Sequence, residues 1–70
     1  MTKINHKENL INCLEKIQDL DIVTSMDWCV NENRIMIQII GKNCRFECFK
    51  DYDTELCRSA FQFLNQMFML

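Results

Sequence analysis

The groups able to carry chemistry in this 70-residue chain are one histidine, five cysteines and a set of closely spaced acids. Acid, base or nucleophilic catalysis needs a poised group beside a second that tunes it, and His6 is the sole side chain that titrates near neutrality unaided. Lying just after Asn5, it reads as a solvated side chain on a first helical turn. Cys13, Cys29, Cys44, Cys48 and Cys57 are odd in number and scattered among periodic apolar positions. With one Gly and no Pro in the chain, they read as reduced, buried thiols and not as a disulfide framework. Cys44 and Cys48 on one strand would stand about 13 Å apart, too far to clamp a metal together. A metal site drawing on Cys29, Cys44 and His6 is the rival to small apolar core residues, which is the preferred reading. Cys57, near a helix start and Arg58, has Asp53 and Glu55 opposing any activation. Asp51, Asp53 and Glu55 lack the glycine and late bidentate acid of a calcium loop and read as helix-capping residues. A single glycine cannot make a phosphate loop, and no nucleophile elbow surrounds Ser25 or Ser59. The expectation is no enzyme, no cofactor and no metal.

Composition points the same way. A hydrophobic share of 49% with 26% charged residues is too apolar for a disordered tail, and 70 residues make a single domain, 1–70. No apolar run reaches the ~18 residues of a membrane-spanning helix. The net charge of −2 gives no general attraction to phosphate backbones or anionic lipid. Protein partners are therefore expected, with no membrane. Lys3 and Lys7 are followed by Glu8, Asn9 and Asn12 where a secretory signal would have an apolar core, so the expected compartment is the cytoplasm.

The positioning elements follow from periodicity. Leu10, Cys13, Leu14 and Ile17 recur at helical spacing, with Asn5 as N-cap and Glu8 reaching back in a capping-box variant, and the helix stops around Asp19 to Asp21. From Ile22 the period becomes two: Thr24, Met26, Trp28 and Val30 alternate with Val23, Ser25, Asp27 and Cys29, the first set facing the core. Asn31-Glu32-Asn33 predicts a tight hairpin, because asparagine tolerates left-handed angles. Ile35 to Ile40 then read as a central strand, and Gly41-Lys42-Asn43 as a turn using glycine's positive φ. Cys44, Phe46 and Cys48 alternate with Arg45, Glu47 and Phe49. A last helix starts within Asp51 to Thr54 and covers the sheet with Leu56, Cys57, Ala60, Phe61, Leu64, Met67 and Phe68. The predicted fold class is α+β: a three-stranded antiparallel meander with two helices packed on one face, in the order α-β-β-β-α.

Such a fold has one dry sheet face, yet Met36, Ile40 and Phe49 fall on the other, and Phe63, Met69 and Leu70 point away from the sheet-covering stripe. Leaving about 400 Å² of apolar surface wet forgoes on the order of 10 kcal/mol at ~25 cal/mol per Å², so a partner or a homodimer is expected, through edge-strand pairing or exchange of the last helix. The alternatives are that the termini fold over that face, or that the strand phase is displaced by one residue, which exchanges inside for outside.

The order α-β-β-β-α is also that of the double-stranded-RNA-binding domain, which this chain is similar to in length and topology. That resemblance implies RNA contacts from the first hairpin loop and from lysines at the start of the last helix. Here those places hold Asn31-Glu32-Asn33 and the carboxylates of Asp51, Asp53 and Glu55, which repel phosphate. What is left for single-stranded nucleic acid is a strip of Arg34, Lys42, Arg45 and Lys50 with Phe49 for stacking, set against ordinary solvated strand-face charge. The expected function is a small acidic protein-binding module, homodimeric, acting by surface occlusion. Asp51, Asp53 and Glu55 would occupy a basic groove of a nucleic-acid-binding protein while Phe63, Met69 or Leu70 anchors the contact. In general character this resembles virus-encoded inhibitors of host or defence proteins of the anti-CRISPR type. Alternatives are an effector chaperone or immunity-type partner, since acidic helix-sheet dimers resemble small chaperones, and an RNA-binding domain.

Overall fold

A computed structural model describes residues 5–69. The elements are α1 (His6–Gln18), β1 (Val23–Val30), β2 (Arg34–Gly41), β3 (Arg45–Asp51) and α2 (Thr54–Phe68). The strands form one antiparallel sheet in the order β1-β2-β3. Ile35, Ile37 and Ile39 of β2 are fully buried in a single cluster with Leu10, Cys13, Leu14 and Ile17 of α1 and Cys57, Ala60 and Leu64 of α2. Both helices therefore cover the same sheet face, as the periodicity predicts. Each fully buried isoleucine contributes about 1.5–3 kcal/mol of transfer free energy, so this row is the spine of the fold.

Capping residues set the helix starts. The Glu8 amide donates to Asn5 Oδ1 at 3.0 Å, and the Glu55 amide donates to Asp53 Oδ1 at 2.9 Å. The return bond that would complete a capping box at Asn5 does not form among the described residues. At the other end of α2, Met69 closes the helix in the left-handed region, with φ 54° and its amide directed at the Asn65 and Gln66 carbonyls.

Both turns occur where expected, by other means than expected. Neither asparagine of the first hairpin has positive φ. Asn31 works through its side chain, whose Oδ1 accepts from the amides of Asn33 (2.8 Å) and Arg34 (2.9 Å), as in an Asx turn. Gly41 has no positive φ either. A Cβ there would lie 2.6 Å from Cys44 Sγ and 3.1 Å from the Ile22 carbonyl oxygen, so glycine is required by close approach and not by backbone angle.

One strand phase needs correction. Val23 pairs with Gly41 but Ser25 pairs with Ile40, so Thr24 is an extra residue, a β-bulge. Val23 then packs toward the core together with Met26, Trp28 and Val30, while Thr24 is exposed and donates its hydroxyl to the Ile40 carbonyl at 2.9 Å. Beyond the bulge the alternation runs as read. On the uncovered face it produces cross-strand rows of Cys29, Met36 and Phe49, of Asp27, Gln38 and Glu47, and of Ser25, Ile40 and Arg45.

Candidate functional site

Where β3 ends, the chain leaves the sheet through Tyr52, whose amide donates to the Asn33 carbonyl at 3.2 Å. That bond pins the start of α2 against the first hairpin. The next residue, Asp53, caps α2, so the corner geometry is fixed from both sides. An open groove of about 710 Å³ lies around this end of β3. Its apolar floor is Met36, Phe49, Tyr52 and Leu56, and its polar rim is Arg34, Lys50, Asp51 and Asp53.

The groove unites four of the residues singled out in the sequence: Met36 and Phe49, which are direct partners across β2 and β3, with Asp51 and Asp53. Phe49 is 61% exposed, whereas Met36 is half-buried. Glu55 is not among the lining residues; it sits in the first turn of α2 and holds Arg58 Nη2 at 3.0 Å. The acidic triplet thus divides into a rim acid, a cap that also lines the groove, and an ion-paired helix residue. Ile40 lies four residues along β2 from Met36, half-buried beside Ser25 and Arg45. Phe63 is on the helix side, tilted 32° against Phe46 with ring centroids 5.6 Å apart. Met69, 88% exposed, stands at the far end of α2, and Leu70 lies outside the described residues. The expected patch is therefore dispersed, and only Met36 and Phe49 in it share a cavity wall with the acids.

Four residues of the groove lie outside the expected protein contact: Arg34 and Lys50, which the sequence offers only to a nucleic-acid strip, and Tyr52 and Leu56, which it offers to no contact. The first could have been found from the two turns, which place Arg34 opposite Asp51 once the hairpin register is counted. Tyr52 and Leu56 come together only through the corner.

The basic strip assembles only in part: Arg34 and Lys50 line the groove together with Phe49, whereas Lys42 and Arg45 are not among its lining residues. Arg45 donates from Nε and Nη2 to Glu47 Oε1 (3.2 and 2.7 Å), Arg34 faces Asp51, and Lys50 takes the opposite strand face from Phe49. Hydrogen bonds from Arg45, and secondarily from Gln38, hold the Glu47 carboxyl below its ordinary range, so it is charged at neutral pH. The thiols behave in the opposite sense. Burial pushes Cys13, Cys48 and Cys57 up; for Cys57 a hydrogen bond from Tyr52 offsets part of this. Burial of this kind favours the neutral thiol over the thiolate. All five cysteines are free, and among the described residues no group of three His, Cys, Asp or Glu side chains is placed to hold a metal ion. Likewise, no described helix is long and apolar enough to cross a membrane. No protein-family model, curated protein or solved structure matches this chain.

Proposed function

We propose that the chain is a small acidic protein-binding module that acts by covering a surface on another protein, with the groove at the end of β3 as its contact. The supporting observation is Phe49: a largely exposed aromatic ring beside Met36, bordered by Arg34, Lys50, Asp51 and Asp53. An apolar anchor inside a polar rim is the anatomy of a protein interface. The finer reading is inhibition by occlusion. Asp51 and Asp53 at the groove, with Asp27 on the adjoining sheet face, suit a basic surface that otherwise holds nucleic acid, and they would speed encounter with it.

The test is capture by the immobilised chain of partners from a host-cell lysate, repeated over a salt series. Phe49→Ser is expected to release the partner by about tenfold or more, as truncation of an interface anchor does. Asp51→Asn with Asp53→Asn should slow association mainly at low salt, while Glu55→Gln changes nothing. Capture that is indifferent to Phe49 and to salt removes this reading. Submicromolar RNA binding with a steep salt slope would replace it with a nucleic-acid function.

A further inference from the structure

β3 is an edge strand whose outer side has no neighbour among the described residues, and its backbone phase can be read from the two ends of its pairing with β2. The Gly41 amide donates to the Cys44 carbonyl (2.8 Å), and the Tyr52 amide donates to the Asn33 carbonyl (3.2 Å). In an antiparallel ladder hydrogen-bonded positions alternate, so Phe46, Cys48 and Lys50 direct their backbone groups at β2. Those of Arg45, Glu47, Phe49 and Asp51 face outward. The other edge, β1, carries the bulge at Thr24, a device that discourages pairing; β3 has neither bulge nor proline.

We propose that a second copy of this chain pairs antiparallel along β3, with the two-fold axis at Cys48, and joins the two meanders into one continuous sheet. This register overlaps the whole of β3. It sets Arg45 of each copy opposite Asp51 of the other, and Glu47 opposite Phe49, with every outward backbone group facing its complement. Moving the axis to Glu47 places two carboxylates directly opposite each other, and moving it to Phe49 places Glu47 opposite Asp51 twice, both of which disfavour pairing. An axis at Phe46 also sets opposite charges together, Arg45 against Glu47, but overlaps only residues 45–47 of β3, so overlap and charge complementarity together select the register at Cys48. On the helix side the same register sets Phe46 opposite Lys50 of the second copy, which brings that lysine stem toward the half-exposed Phe63 ring resting on Phe46. Glu47 keeps its own Arg45 as counter-ion.

Sedimentation equilibrium up to about 300 μM tests this, the range in which a modest edge interface associates. The unaltered chain is expected to be a dimer. Arg45→Asp and Asp51→Arg each place like charges opposite one another twice, and each should weaken association roughly tenfold. The double variant exchanges the two charges and should restore it. Glu47→Pro removes an amide that points away from β2, so it should give a folded monomer by circular dichroism. A chain that stays monomeric, a dimer indifferent to Glu47→Pro, or a folded double variant that stays dissociated overturns the proposal.

Discussion

Gly41 is the residue whose role the sequence suggested for the wrong reason. A glycine in a turn suggests a positive φ; what the fold needs is space for Cys44 Sγ and the Ile22 carbonyl, which also accepts from the Lys42 amide at 2.9 Å. Gly41→Ala is therefore expected to cost about 1–3 kcal/mol as a small-to-large change in a filled site. Cys44→Ala in the same chain should recover part of it. Urea denaturation of the single and double variants measures this, and an identical Gly41→Ala cost with and without Cys44 would contradict it. The raised thiols make a separate prediction. Below the ordinary thiol pKa of about 8.5 both folded and unfolded states are neutral and stability is flat. Above it the unfolded chain ionises first, so stability should fall as pH rises from about 8 to 10 under reducing conditions. Replacing Cys13 and Cys57 by Ala should flatten that decline, at some cost in packing at neutral pH; a decline of unchanged slope would assign it to other groups.

At the level of elements, the helices and strands were legible because each carries its own period. The stripe of α1 recurs in the buried set, the apolar run of β2 buries Ile35, Ile37 and Ile39, and β3 alternates exposed with half-buried residues as far as Phe49. The bulge was not legible, since an extra residue in a strand shows only against its partner, and Val23-Thr24-Ser25 alternates acceptably by itself. The groove was half legible for the same reason: Met36 and Phe49 were visible as misplaced apolar residues, but their meeting with Asp51 and Asp53 depends on register and on the corner at Tyr52. Capping separates the acids further. Asp53→Ala should lower stability by about 1 kcal/mol, while Asp53→Asn, an equally good N-cap, should leave it nearly unchanged. Asp51→Ala should be close to neutral in the isolated chain. Thermal melts of the three variants check this, and a loss at Asp51 as large as at Asp53 would mean that the carboxylate on the strand also supports the fold.

Over the whole molecule, the apolar surplus inferred from composition is smaller and more divided than expected. The exposed large hydrophobics among the described residues are Ile22, Phe49, Phe63 and Met69, and they lie at separate places. Met36 and Ile40 are half-covered by their sheet neighbours. Phe49 is thus the residue of that surplus that also has a cavity and a charged border, which is why the functional reading centres on it. The chain's net charge of −2 conceals ion pairs such as Arg45 with Glu47 and Arg58 with Glu55, so the acidity available to a partner is local and modest.

The bulge at Thr24 has one more consequence. It interrupts the β1 edge near its start while β3 pairs without a shift, and the proposed two-fold contact along β3 would occupy that edge on both molecules at once. Growth by strand addition then has nowhere to continue. On the proposed pairing, crowding such molecules would yield closed pairs, with the extra threonine as the stop that keeps a sticky ribbon from lengthening into a fibre.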